Sequence, residues 1–419
     1  MENSVLILGA AALQVPIIKY VKNKGFNVIV VSIPGHYPGF DLADKCVYCD
    51  IRDVETIISE TKNDEIKAVL TDETDMAVPT VAQLAERLNL PGNLPKVAIA
   101  YSNKFLMRQK CQEAGVSVPK FFHASSVEDV EIASDSISYP AIMKPEDSQG
   151  SRGIYVVQSK DEIRSHFEDT VQFSRTGNVI VEEYFKGKEY VVEGFVVDGQ
   201  YMNFGIAERK YFEIEGLVIP CQTIFPSNLK DESIQMLIDA ERKLHAHLKP
   251  SFGMIHSEYL VNEEKHEYIL VETALRGGGV YISSHLVPLY SGIDNYDMLF
   301  RSAFGEKINL DVAEKTRDTK ASAYVCFTLP EGQIISVEGV NDVQNMPSVK
   351  VFDVEELQVG SYVKNMINKT QRLGPIILEA PNRDLLEKEI EKVQNNNVQF
   401  GGIHNKLTDI DHAKKFLDP

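Results

Sequence analysis

The chain has 419 residues, 43% of them hydrophobic, with 61 acidic against 43 basic side chains and a formal net charge of −18. That length is too great for one ordinary core and predicts about two to four domains, while the acidic balance excludes non-specific binding to nucleic acid or to an anionic membrane, both of which need clustered positive charge. Five cysteines, a start at Met1-Glu2-Asn3-Ser4 without a basic signal region, and no apolar run near the roughly 20 residues that span a bilayer predict a soluble cytoplasmic protein with no membrane partner.

The first ninety residues alternate strand and helix. Ser4 to Leu8, Asn27 to Val31, Cys46 to Tyr48 and Ala68 to Thr71 read as strands, with helices to about Lys24 and from Val54. Such alternation predicts a doubly wound parallel sheet. The first turn, Gly9-Ala10-Ala11-Ala12-Leu13-Gln14, lacks the G-x-G-x-x-G spacing of a dinucleotide site, which sets a nicotinamide enzyme aside. Cys46 and Cys49 form a lone C-x-x-C, read as reduced thiols beside a strand. Leu90-Pro91-Gly92-Asn93 breaks the chain after a helix ending near Leu88, so a new domain is expected at about residue 101.

Ser102 is a candidate N-cap for a helix running to about Glu113, with Gly115 as its stop and Lys104 in its first turn. Short strands and one helix, Lys160 to Phe167, then predict a small α+β module whose size suits a lid. Within it, Tyr139 to Pro145 is a strand with Lys144 near its end. Glu146-Asp147-Ser148-Gln149-Gly150-Ser151-Arg152-Gly153 follows as a glycine loop, and Ile154 to Val157 as a second strand. Glycines let backbone N–H groups approach phosphate oxygens closely, so the loop reads as a phosphate-covering flap or as an ordinary hairpin turn. It is no P-loop, since it joins two strands rather than opening a helix. Val179 to Phe185 is an apolar strand ending in Glu182 and Glu183. It offers either an adenine-binding hinge, with a later glutamate for the ribose, or strand-end glutamates in water.

Longer strands follow, Glu189 to Val197 and Tyr201 to Ala207, then a helix, Asp231 to Leu248. Next comes a hairpin of His256 to Val261 and Tyr268 to Glu272. Folded symmetrically about Lys265, it sets Glu258 opposite Glu272, with Cβ atoms roughly 4.5–5.5 Å apart. Bare facing carboxylates repel, and a divalent cation removes the penalty. Magnesium takes one or two carboxylates and completes its shell with water and nucleotide phosphate, which points to a nucleotide-dependent enzyme. A one-residue bulge is expected to defeat that pairing. After Asn309, strands are predicted at Ala321 to Leu329, Ile334 to Val340 and Val349 to Asp353. A helix from about Asn382 to Val393 and a polar tail from His404 end the chain.

In this order, the pieces resemble the ATP-grasp superfamily of carboxylate–amine ligases, in its L-amino-acid ligase and biotin-carboxylase-like branch, from Met1 to about Glu306. The resemblance implies α/β and α+β domains. An N-terminal doubly wound domain would cover 1–100 and a two-lobed ATP-grasp domain 101–310, with its lid at about 118–186. A β-rich C-terminal domain would cover 311–419. It implies ATP and magnesium, or manganese in its place. Lys104 and Lys144 would contact phosphates, and Ser148, Gly150, Ser151 and Gly153 would form the glycine loop. Glu182 is assigned to the adenine amino group, Glu183, Tyr184 and Phe185 to the hinge, and Glu189 to the ribose. Glu258 and Glu272 would hold the metal, and Arg276 would polarise phosphate. Gly277, Gly278 and Gly279 would bring backbone N–H groups to a substrate carboxylate. One departure stands out: the family's Glu-x-Asn-x-Arg is Glu272-Thr273-Ala274-Leu275-Arg276 here, and Ala274 cannot ligate a metal. A second magnesium ion would then need a bidentate Glu272, water or substrate. Arg209, Lys210, His256 and His285 are candidates to orient a second substrate. The resemblance further implies amide formation from a small carboxylate and an amine through an acylphosphate. A kinase-like or carbamoyl-transferring enzyme and a non-catalytic ATP sensor are the alternatives, and a homodimer is common among proteins of this architecture.

Overall fold

In the computed structural model, the described residues are 3–148, 152–214, 218–315, 319–354, 358–367, 371–395 and 399–401. The chain divides into two compact units. The first comprises Met1–Phe204, Leu229–Ser284 and Asp294–Thr316, and the second Gly205–Asn228, His285–Ile293 and Arg317–Pro419.

The first unit opens with the parallel sheet that its strand and helix alternation predicts. Strands β1 (Asn3–Leu8), β2 (Asn27–Ser32), β3 (Lys45–Tyr48) and β4 (Glu65–Leu70) lie in the order β3-β2-β1-β4. Leu6, Leu8, Ile29, Val31, Ile57 and Leu84 form its core, because strands covered by helices on both faces read as continuous apolar runs. The chain leaves β4 through Asp72, Glu73 and Asp75 at the carboxyl end of the sheet, the end where open α/β sheets place their ligands.

The helix Lys104–Ala114 follows, stopped by Gly115 in a left-handed turn (φ 70°) as expected. Its N-cap is Asn103 rather than Ser102: Asn103 Oδ1 accepts the Leu106 N–H at 2.9 Å. The small module is an antiparallel sheet of β5 (Phe121–Ala124), β6 (Ala141–Pro145), β7 (Tyr155–Val157) and β8 (Val179–Glu183), in the order β5-β8-β6-β7. The helices Val127–Ala133 and Lys160–Val171 help to fill its own small core. Strand β9 (Lys188–Val197) leads into β10 (Gln200–Tyr211), which runs into the second unit, and the later strand β11 (Pro220–Phe225) belongs wholly to that unit. The helix Asp231–Leu248, β12 (Phe252–Asn262) and β13 (Glu267–Ala274) complete the first unit's antiparallel layer, with β12 between β9 and β13.

In the second unit, β11, β14 (Ala321–Phe327), β19 (Leu373–Ala380) and β17 (Val349–Phe352) pair antiparallel in that order over a core that includes Ile224, Val325 and Leu378. The single strand expected from Ile334 to Val340 is instead β15 (Gly332–Gln333), β16 (Ser336–Glu338) and the start of a short helix, Val340–Gln344. The β15 strand pairs with β18 (Tyr362–Val363), and β16 with β20 (Gln399–Gly401). Long-range partners divide a stretch that local composition reads as continuous. The tail from His404 lies outside the described residues. Among the described residues no helix is long and apolar enough to cross a membrane.

Candidate active site

The hairpin does set Glu258 opposite Glu272, but by a different route from the one expected. Its turn closes between Asn262 and Glu267, so the register near the turn pairs Tyr259 with Leu270 and would bring Val271 opposite Glu258. A shift in register between Tyr259 and Glu258 skips Val271, and Glu258 then faces Glu272. The bulge therefore creates the pairing it was expected to defeat. The carbonyl of the skipped residue does not go unpaired: Arg108 Nη2 donates to Val271 O at 2.7 Å.

Arg108 lies one turn beyond Lys104 on the same helix face. Its side chain is fully buried, and its Nε donates to Glu182 Oε1 at 2.5 Å. Lys144 Nζ lies 2.6 Å from Glu182 Oε2, so both oxygens of Glu182 are engaged by cations. Burial alone would raise the pKa of Glu182, but Arg108 and Lys144 outweigh it and hold the carboxyl down at about 2. Burial also lowers Lys144 below the ordinary lysine value, against the pull of Glu182. Lys104 Nζ is 3.1 Å from Glu272 Oε1 and donates to Ser148 O at 2.7 Å. It thereby joins the first-lysine helix, the glycine loop and the hairpin.

Ser148 Oγ is buried without a hydrogen-bond partner among the described residues. Gly153 has φ 68°, and a Cβ there would meet Phe173 Cδ2 at 2.7 Å, so only glycine fits. Gly150 and Ser151 lie outside the described residues. Beside the loop, Glu146 accepts from Asn103 Nδ2 (2.6 Å), Thr176 Oγ1 (2.7 Å) and Asn178 Nδ2 (2.9 Å). At the hinge, Glu183 turns away to accept the Ser138 N–H at 2.8 Å, and the Tyr184 N–H donates to Pro140 O at 3.0 Å. Tyr184 is exposed, while Phe185 and Glu189 are half-buried.

Just past the end of β13 that carries Glu272, Arg276 Nε and Nη2 form a bidentate pair with Asp75 at 2.7 and 2.9 Å, and Nη1 donates to Gly277 O at 2.7 Å. Asp75 is held below its ordinary pKa: burial pushes it up, and Arg276 overcomes that push. The Gly277 N–H donates to Asp72 Oδ1 at 3.1 Å, and Asp72 Oδ2 accepts from Ser283 Oγ (2.7 Å) and Tyr296 OH (2.5 Å). The N–H of Gly277 thus serves an internal carboxylate rather than the substrate carboxylate it was assigned. Gly278 packs so closely on Glu193 and His256 that a Cβ would lie 2.5 Å from Glu193 Oε1. Beside Gly279 there is space.

His256 shares the sheet face of Glu258 and stands opposite Ala274 on one side and Glu193 on the other. Its Nδ1 is bonded to Glu193 Oε1, and its Nε2 is 3.4 Å from Glu258 Oε1. Burial lowers its pKa, but the two glutamates prevail and hold it above the ordinary value. Arg209, Lys210 and His285 belong to the second unit.

The donor set suits magnesium, a hard ion that takes two carboxylates and completes its shell with phosphate and water. Glu258 and Glu272 are 23% and 35% exposed, so both stay open to such a shell. Among the described residues no cluster of three or more His, Cys, Asp or Glu is arranged to hold a metal unaided. Sequence reading missed Arg108, Asp72, Glu73, Asp75 and Glu193. The acidic run after β4 and the spacing of Arg108 one turn past Lys104 were the signals available.

Residues 137–284 match the family model described as "ATP-grasp domain". The chain carries an ATP-grasp domain. Among its relatives, the formate-dependent phosphoribosylglycinamide formyltransferase of Prochlorococcus marinus is 24% identical over 44% of this chain and 48% of its own length. The alanine–anticapsin ligase of Bacillus subtilis is 24% identical over 61% of this chain and 58% of its own. This chain thus spans about half the length of those curated relatives. Among solved structures, the L-amino acid ligase of Bacillus licheniformis superposes with a TM-score of 0.79 at 17% identity, covering 94% of this chain and 97% of that one. The likeness of fold thus extends beyond residues 137–284.

Proposed function

We propose that the chain is an ATP-dependent ligase that joins a small carboxylate, an amino acid or a relative of one, to an amine through an acylphosphate. One observation carries the reading: Lys104 touches Glu272 and Ser148 O at once, so three motifs distant in sequence converge on one place. A carboxylate oxygen attacks the γ-phosphorus of ATP and ADP departs. Lys104, now on Glu272, and Lys144, now on Glu182, would turn to phosphate oxygens, and Arg276, fixed by Asp75, would stabilise the charge that develops on the transferring group. Magnesium, held by Glu258 and Glu272, would neutralise charge on the phosphates. An amine then attacks the acyl carbon, phosphate leaves with the bonding pair, and the nitrogen loses its proton to give the amide. Closure of the glycine loop over the nucleotide would keep water from the acylphosphate. Cytoplasmic location and a homodimer belong to the same reading, as does the assignment of Glu182 to Phe185 and Glu189 to the nucleoside.

The test is release of ADP, AMP and phosphate from MgATP with pools of amino acids and small carboxylates, with and without amines, products being read by mass. ADP, phosphate and a product equal to two substrates less water are expected. AMP would mean adenylation and would overturn the acylphosphate route. A phosphorylated product with no amide would favour the kinase-like or carbamoyl-transferring alternative.

A further inference from the structure

Glu73 is the one acid of the loop after β4 whose carboxylate is only half used. Its Oε1 accepts the Tyr281 N–H at 3.2 Å, while Oε2 is buried with no hydrogen-bond partner among the described residues. Asp72 and Asp75, on either side, have both oxygens engaged. Glu73 lies in the left-handed region (φ 55°), as do Val280 (φ 60°) and Tyr281 (φ 59°) across from it. For the β-branched Val280 that conformation is strained, so something holds the two segments face to face. There is room between them: a Cβ added at Gly279 would meet, apart from its chain neighbours, no atom closer than Glu73 Oε2, 4.0 Å away. Burial, and next the neighbouring Asp72 charge, push the Glu73 carboxyl well above its ordinary pKa. A buried carboxylate oxygen without a donor is costly, and a cationic donor placed in that gap would relieve the cost. Arg276 does not supply it, because its guanidinium is already bonded to Asp75 and Gly277 O.

We propose that Glu73 receives the α-ammonium group of an amino-acid substrate in the gap beside Gly279, so that the ligase selects amino acids over carboxylic acids lacking the amine. This rests on the reading that a substrate carboxylate is phosphorylated near Arg276. In an α-amino acid, carboxylate and ammonium sit on one carbon, which matches a cation, Arg276, and an anion, Glu73, on two segments that Asp75 and the Tyr281 N–H tie together. Glu73 would act on specificity rather than on chemistry.

The experiment compares the twenty proteinogenic L-amino acids with their des-amino acids, in wild type, Glu73→Gln and Gly279→Ala. It uses ADP release and equilibrium binding in the presence of a non-hydrolysable MgATP analogue. The amide of Glu73→Gln keeps an acceptor for the Tyr281 N–H and removes the charge, while Gly279→Ala fills the gap without a clash. Losing a charge-assisted hydrogen bond predicts about 10- to 100-fold weaker amino-acid binding in both variants. Des-amino acids should bind equally to wild type and Glu73→Gln, and the affinity for the nucleotide analogue should be unchanged. If wild type turns over des-amino acids as well as amino acids, or Glu73→Gln binds amino acids undiminished, the proposal is overturned and the ligase reading stands. If no carboxylate of either kind elicits ADP, the ligase reading fails and the proposal with it. A gap that holds only water would leave both variants with wild-type affinity, which again overturns it.

Discussion

Two buried charge clusters of the first unit are balanced in different ways. Around Glu182, one carboxylate lies between two cations, Arg108 and Lys144, and its pKa falls to about 2. After β4, only Asp75 of three neighbouring carboxylates pairs with the one arginine, Arg276, and Glu73, pushed well above its ordinary pKa, is left with an orphaned oxygen and a left-handed backbone. The first cluster is complete within the chain, as suits residues that shape a site for a ligand whose structure does not vary. The second is incomplete, and strain with unmet hydrogen bonding is characteristic of places where a ligand supplies the missing part. Preorganisation and selection are thus assigned to different clusters.

The contrast can be broken most severely at Arg108. Arg108→Met would leave the Val271 carbonyl without its donor and Glu182 with Lys144 alone. Removing one partner of a buried ion pair predicts a loss of about 3–5 kcal/mol, read from urea unfolding. A loss below about 1 kcal/mol would show that the cluster is not balanced by this arginine. Next in size, Glu272→Gln is expected to slow ADP formation by about 100-fold or more and to weaken binding of Mn²⁺ in the presence of ADP. Full activity and unchanged manganese affinity would remove Glu272 from the metal.

The two clusters should also give opposite pH dependence. Glu182 has a depressed pKa, so its contribution is present above its ordinary value of 4.5 and is lost as pH falls towards about 2. Glu182→Gln should therefore flatten the acid limb of the stability curve, measured as unfolding midpoints across that range. Glu73 has a raised pKa, so the folded chain binds the extra proton, and stability declines as pH rises from 4.5 through the folded value. Glu73→Gln should accordingly raise the unfolding midpoint at pH 8 and leave it unchanged near pH 4. This is the smallest of the expected effects. A variant with the wild-type pH slope would mean that Glu73 does not titrate differently in the folded chain.

Much of this site could be read from residues near one another in the chain. Lys104 at a helix start, Lys144 near a strand end before glycines, and two glutamates around a short turn each follow from local pattern, since strand period, capping and turn chemistry act over a few residues. Helix and strand alternation before residue 90 likewise fixed the parallel sheet, because the apolar runs have no other way to be covered. The exact register of the hairpin was not local. The turn closes at Asn262 and Glu267, and the bulge that restores the facing glutamates is held by Arg108, 163 residues from Val271. Nor could any spacing rule pair Asp75 with Arg276, 201 residues on, or Glu73 with Tyr281, 208 residues on. The sequence by itself determined which elements form and which residue types stand at their ends. Only the tertiary structure decided which charges meet, because burial and neighbouring charge set ionic energies and both depend on distance in space, not along the chain.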